Sequence, residues 1–131
     1  MKLSPHFDSD EFRCPCCGKS CMMPSIVAAL ESLRAECGNR PVFINSGFRC
    51  EKHNKAVGGA PNSKHLFGLA SDVRIGGLSG QEIYEFARTI PAIHGFGVAA
   101  GWIHIDTRVG PVVRWRYSNN GQVIAWQENC Q

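Results

Sequence analysis

The spacing of apolar residues predicts two principal helices in this chain. Between Pro24 and Gly38 the apolar residues recur every three or four positions, which is typical of a helix with one buried face. A capping box at 79–82 opens a second amphipathic segment that stops at Pro91. A shorter helix is predicted from Cys50 to Val57, closed by the following glycines.

Shorter runs rich in β-branched and aromatic residues predict strands, and two of them alternate cleanly. In the run 69–75, Asp72 falls on the face opposite to the most apolar side chains, and in 102–107 His104 and Asp106 fall opposite to the isoleucines. An Asn-Gly pair at 120–121 predicts a hairpin turn. The predicted strands are 41–45, 69–75, 97–100, 102–107, 111–115 and 122–126.

These elements predict an α+β fold: a small, mostly antiparallel sheet with two main helices on one side and a cleft on the other. Residues 1–24 contain several prolines and are expected to form an irregular strap around the body, with one helical turn at 8–12. The length of 131 residues is that of one domain, 1–131, with a single core.

Composition and charge exclude some classes of function. The net charge of +3 is not concentrated in a basic tract, so a nucleic-acid partner is not expected. No apolar run is long enough to span a membrane, and the first residues lack the apolar segment of a signal peptide.

The seven cysteines are an odd number, which argues against a complete disulfide framework. Cys14, Cys16, Cys17 and Cys21 are crowded within eight residues, and Cys14 and Cys17 form a Cys-x-x-Cys pair without a second such pair. Three states stay open: a structural zinc completed by Cys21, Cys37 or Cys50, a local disulfide, or reduced packed thiols.

The candidate chemistry lies in His65, Asp72 and His104. Imidazole and carboxylate are ligands that zinc accepts, and a catalytic zinc site keeps three protein ligands with the fourth position open to water. Gly68 and small residues between His65 and Asp72 allow a tight turn that returns the chain. One catalytic Zn²⁺ is therefore expected.

The motif S-x-H-x-x-G-x-A-x-D at 63–72, followed by H-x-D at 104–106, resembles the zinc D-Ala-D-Ala carboxypeptidase family, peptidase family M15. The similarity is greatest to its small single-domain branch, whose fold is shared with the hedgehog signalling domain. It extends over about 12–115 and includes S-G-F-R at 46–49, Asn54 and V-G-G-A at 57–60. The resemblance implies zinc binding by His65, Asp72 and His104, and a substrate carboxylate facing Arg49; the alternative for Arg49 is a structural ion pair.

The implied activity is hydrolysis of D-amino-acid-containing peptide bonds in bacterial peptidoglycan, of the D,D-carboxypeptidase type, on stem peptides and by a monomer. The alternatives are a peptidoglycan endopeptidase of the lysin type and a non-catalytic zinc-containing module that binds the wall. Without a signal peptide, such an enzyme is expected to be made in the cytoplasm and to reach the wall after lysis, on a particle or by non-classical export, which suits a phage lysin.

The general base cannot be transferred from the resemblance. Many members carry an acid three residues before the second histidine, where this chain has Gly101. Asp106 is the nearest acid, and strand parity points it to the same side as His104. The preferred expectation is that Asp106 is the catalytic base; the alternative is that it orients a ligand imidazole.

Overall fold

The computed structural model describes residues 1–127, and Cys130 lies outside them. Within this range the chain forms three α-helices, two 3₁₀ turns and eight strands. The helices are α1 (Pro24–Glu36), α2 (Glu51–Ala56) and α3 (Gly80–Ala87), and the 3₁₀ turns are Ser9–Phe12 and Lys64–Phe67. The strands are β1 (Lys2–Ser4), β2 (Phe7–Asp8), β3 (Val42–Ser46), β4 (Ala70–Ile75), β5 (Gly95–Val98), β6 (Ile103–Asp106), β7 (Val113–Tyr117) and β8 (Val123–Ala125).

Six strands form one sheet in the order β3-β4-β6-β5-β7-β8. All neighbours are antiparallel except β5 and β7, which run parallel. The predicted α+β fold with a mostly antiparallel sheet is confirmed. The predicted strands at 97–100 and 111–115 form two residues away from their expected positions, at Gly95–Val98 and Val113–Tyr117.

One face of the sheet carries the core. Val73, Ile103 and Ile105 are fully buried there and belong to the same apolar cluster as the inward faces of α1 and α3. Because side chains alternate along a strand, Asp72 and His104 lie on the opposite face, away from the two long helices. The apolar periodicity therefore positions the polar cluster as well as the core.

The N-terminal strap, predicted at 1–24, ends at Met23 because α1 begins at Pro24, and it is more regular than the sequence predicts. β1 and β2 pair as a short antiparallel ribbon, and the carboxylate of Glu31 on α1 accepts hydrogen bonds from Ser4 and from the backbone of His6. Asp8 caps the 3₁₀ turn through a capping box with Glu11. The expectation of an irregular segment is wrong for these residues, because two- and three-residue strands are too short to show alternation.

The strap also packs against the loops around the polar cluster. The Phe48 backbone N–H donates to the Phe12 carbonyl at 2.9 Å, and the Met23 N–H donates to the Gly68 carbonyl at the same distance. Gly68 has φ +68°, and a Cβ there would lie 1.9 Å from the Cys21 carbonyl oxygen. A side chain at residue 68 would therefore push the strap away.

None of the helices in residues 1–127 has the length and apolar character needed to cross a bilayer.

Candidate metal centre

His65, Asp72 and His104 converge from two strands and a turn. Asp72 and His104 are direct partners in the β4–β6 register. His65 lies on the 3₁₀ turn Lys64–Phe67, which Ser63 caps by accepting from the His65 N–H. The left-handed Gly68 ends this turn and directs the chain into β4.

The three side chains meet at one carboxylate oxygen. Asp72 Oδ1 lies 3.1 Å from Nε2 of His65 and 3.0 Å from Nδ1 of His104. All three residues are buried, with relative exposures of 2% to 8%. Three donor atoms of metal-binding type therefore face one another within a protected pocket.

Each imidazole has an inner nitrogen, which faces Asp72, and an outer nitrogen, which faces away from it. The hydrogen bond of the outer nitrogen determines whether the inner nitrogen has a lone pair. Nδ1 of His65 lies 2.7 Å from the Gly47 carbonyl, and Nε2 of His104 lies 2.8 Å from Asp106 Oδ2. Both partners only accept, so each outer nitrogen carries the proton and donates it. In the neutral rings, Nε2 of His65 and Nδ1 of His104 then point lone pairs at the Asp72 carboxylate.

Such a cluster requires a positive charge at its centre. Burial alone would raise the pKa of Asp72, but its contacts with His104 and His65 outweigh burial and hold that pKa below its usual range. A divalent cation bound among the three side chains would supply this positive charge. The His–Asp–His donor set, with both outer nitrogens held, is the arrangement of a catalytic zinc site, and the residues present fit this ion.

Asp106 lies behind His104 and not in the cleft. Its side chain is fully buried, and it accepts from Nε2 of His104, from the Arg108 side chain at 2.7 and 2.8 Å, and from the Arg108 N–H at 3.2 Å. Burial would raise the pKa of Asp106, but the bonds from Arg108 and His104 hold it well below its usual value. The general-base role of Asp106 stays a prediction, and this geometry favours its alternative, orientation of a ligand imidazole.

Gly95 provides the space for this buried carboxylate. It pairs with Asp106 across β5 and β6, and a Cβ on residue 95 would lie 2.2 Å from Asp106 Oδ2. Any larger residue would displace the group that orients His104.

Arg49 enters the same pocket from the loop after β3. Its Nη2 lies 3.3 Å from Asp72 Oδ2, its Nη1 3.3 Å from Asn54 Oδ1, and its Nε 3.1 Å from Ser46 Oγ. Each Nη keeps one further N–H that has no acceptor among the described residues. The guanidinium is therefore both part of a structural ion pair and able to bind an anion, so the two roles left open by the sequence are compatible.

The cluster lies in a cleft of about 680 Å³. The loop at 57–64 lines it, together with aromatic residues from β7 and the tryptophan that precedes β6. The Trp102 and Tyr117 rings stack at 5.0 Å, and the Trp115 ring lies 5.2 Å from that of His104. Burial raises the pKa of Tyr117, so its phenol stays protonated at neutral pH.

The sequence reasoning did not find the roles of Tyr117, Trp115 and Arg108. The predicted strand ended at Trp115, which left Tyr117 outside it. A usable signal was present in Gly97, because a Cβ there would lie 2.5 Å from Trp115 Nε1. A glycine at a central strand position indicates the close approach of another group.

A buried zinc-type donor set that opens into a cleft lined by an arginine is the arrangement of a zinc metallopeptidase. Residues 5–106 match the family described as Peptidase M15, and the chain belongs to this family. It is also similar to the zinc D-Ala-D-Ala carboxypeptidase of Streptomyces albus G, with 37% identity over 67 residues. The matched segment covers 51% of this chain and only 25% of that relative.

Proposed function

We propose that His65, Asp72 and His104 hold one catalytic zinc ion, and that the chain removes the terminal residue from D-Ala-D-Ala-type stem peptides of peptidoglycan. The observation that carries this proposal is the position of Arg49. Its guanidinium contacts the carboxylate of the metal cluster, lines the cleft, and keeps N–H donors that have no acceptor among the described residues.

Zinc, when bound, supplies a Lewis acid that polarises the scissile carbonyl and lowers the pKa of a coordinated water. The chain's own residues maintain this site. The Gly47 carbonyl and Asp106 hold the two imidazoles with their unprotonated nitrogens inward. Asp106 is thus a positioning residue, and Arg108 keeps it ionised.

Arg49 binds the terminal carboxylate of the substrate. The guanidinium is a planar fork that matches a carboxylate, and its contacts with Ser46 and Asn54 hold the fork in one orientation. Asn54 is itself buried and donates to the Ala60 carbonyl, which ties α2 to the cleft wall. A peptide with its carboxylate on Arg49 has its last amide bond near the metal cluster.

Tyr117 donates a hydrogen bond to the substrate at the reacting carbonyl. The phenol lines the cleft with His104 and Arg49, and its raised pKa keeps the proton on the oxygen at neutral pH. A donor aimed at developing negative charge contributes more to the transition state than to the ground state.

The decisive experiment compares two synthetic stem peptides that differ only at the C-terminus. Zinc-loaded protein should release D-alanine from the peptide that ends in D-Ala-D-Ala with a free carboxylate. It should cleave the second peptide, whose C-terminus is amidated, far more slowly. Products are identified by mass spectrometry, with His104→Ala protein as the inactive control. Equal cleavage of both peptides at an internal bond would indicate the endopeptidase alternative, and wall binding without any cleavage would indicate the non-catalytic module.

A further inference from the structure

A second cluster of metal-binding type lies outside the cleft, where the strap meets the loop that follows Arg49. The thiols of Cys14, Cys17 and Cys50 lie within 4.8 Å of one another. Cys14 and Cys17 come from one turn of the strap, closed by the Gly18 N–H donating to the Cys14 carbonyl at 2.8 Å. Cys50 lies on the loop that packs against the strap, at the N-cap of α2.

The distance between the sulfurs fits shared coordination and not a disulfide. Sγ of Cys14 lies 3.7 Å from Sγ of Cys50, and all three cysteines are free. A disulfide has its sulfurs about 2.05 Å apart. Two thiolates at about 2.3 Å from one tetrahedral zinc ion would be separated by about 3.8 Å. The observed separation is that of two corners of such a tetrahedron.

Backbone donors are directed at these sulfurs. The Cys50 N–H donates to Sγ of Cys14 at 3.5 Å, and the His53 N–H donates to Sγ of Cys50 at 3.4 Å. Hydrogen bonds received by sulfur favour the thiolate, which is the form that binds metal. The two best-buried sulfurs of the cluster are thus prepared as ligands by the fold itself.

We propose that Cys14, Cys17 and Cys50 bind a second, structural zinc ion. Three thiolates are a soft donor set that favours zinc over calcium or magnesium. Binding replaces each S–H bond with a sulfur–zinc bond and releases the protons to solvent. Cys16, whose thiol is exposed and interacts with that of Cys50, or a water molecule would supply the fourth ligand.

This ion clamps the strap onto the loop that holds Arg49. Cys50 directly follows Arg49 and caps α2, and α2 carries the Asn54 amide that contacts the guanidinium. On the strap side, the Phe12 carbonyl accepts from the Phe48 N–H. The zinc ion therefore cross-links the strap to this loop close to the point where the strap already packs against it, and so helps to hold Arg49 in place.

Cobalt substitution tests this inference independently of the peptidase activity. The catalytic cluster contains no sulfur, so of the two clusters within residues 1–127 only the cysteine cluster can give sulfur-to-cobalt charge-transfer absorption. The reduced, cobalt-loaded protein should show this band, and His104→Ala protein should retain it. Cys17→Ser should lose it, while Cys21→Ser, which alters an exposed thiol outside the cluster, should keep it.

Zinc content gives a second readout. Wild type and Cys21→Ser should hold about two zinc ions per chain, and Cys17→Ser about one, with unchanged circular dichroism. Cys17 is exposed, so its replacement should not prevent folding. Absence of the charge-transfer band in wild type, zinc content in Cys17→Ser equal to wild type, or a Cys14–Cys50 cross-linked peptide with no bound metal would each overturn the proposal.

Discussion

Replacing Asp106 with asparagine tests how the metal centre is supported. Asp106 Oδ2 accepts from Nε2 of His104 and from Nη2 of Arg108, while Oδ1 accepts from Nε and the backbone N–H of Arg108. An asparagine has one oxygen and one NH₂ group in place of two oxygens. In either amide orientation, two of the four donors lose their acceptor and face another donor instead.

The magnitude follows from which donors lose their partner. If the NH₂ group faces His104, the imidazole loses the group that orients it, and zinc affinity should fall about 10–100-fold, or about 1.4–2.7 kcal/mol. If the NH₂ group faces the Nε side of Arg108, hydrogen bonds to a charged group are lost at about 1.5–3 kcal/mol each. Both outcomes lower the stability of the zinc-loaded protein, and neither removes a proton acceptor from the cleft.

The assay measures zinc affinity by competition with a chromogenic chelator, and turnover separately at saturating zinc. Asp106→Asn should bind zinc more weakly and recover most of its turnover when zinc is saturating. Asp10→Asn, a substitution of the same kind at an exposed residue that does not line the cleft, should match wild type in both. Unchanged zinc affinity with turnover lowered by about 10²–10⁴ would refute this reasoning and restore the general-base role.

Three further predictions concern the substrate side and the strap. Arg49→Lys should lower kcat/KM by about 10-fold or more with zinc content unchanged, because an ammonium cannot reproduce the fork; activity equal to wild type would assign Arg49 to structure alone. Tyr117→Phe, which removes only the hydroxyl, should lower kcat by about 10²-fold with little change in KM, whereas an unaltered kcat would exclude the phenol from the reaction. Glu31→Gln should lower the free energy of unfolding at pH 7 by about 1–2 kcal/mol, because its carboxylate accepts from Ser4 and His6. Burial would raise the pKa of Glu31, but these bonds place it below its ordinary 4.5. The difference in unfolding free energy between wild type and Glu31→Gln should therefore be complete above about pH 4.5 and disappear as the pH falls through the folded-state pKa. A difference that does not depend on pH would contradict this.

Strand parity predicted the correct side for the cluster but could not decide the role of Asp106. His104 and Asp106 are two residues apart on β6 and therefore share a face, as the alternation indicated. Whether the carboxylate lies beside the metal-facing nitrogen or behind the ring depends on the orientation of the imidazole. Asp72 and Asp106 hold the ring from its two nitrogens, and Arg108 fixes Asp106; periodicity does not report these contacts.

The cleft wall was hidden for a similar reason. β7 pairs in parallel with β5, a contact between strands separated by a connection that has no periodic signal. Trp115 and Tyr117 enter the site only through this pairing and through the space left by Gly97. The helices α1 and α3, in contrast, have apolar stripes and stop signals that depend on local sequence alone, and they were predicted within a few residues.

The two histidines turn different nitrogens toward Asp72, so the facing nitrogen lies at a different distance from the backbone in each residue. Nδ1 of His104 is attached close to the backbone of a central strand, whereas Nε2 of His65 lies at the far end of a ring carried by a turn. The sheet therefore determines the location of the metal centre through His104, and the turn contributes His65, which reaches the centre with the far end of its ring. Insertions or exchanges in the loop at 57–64 can reshape the substrate cleft while His104 stays where the β4–β6 register holds it.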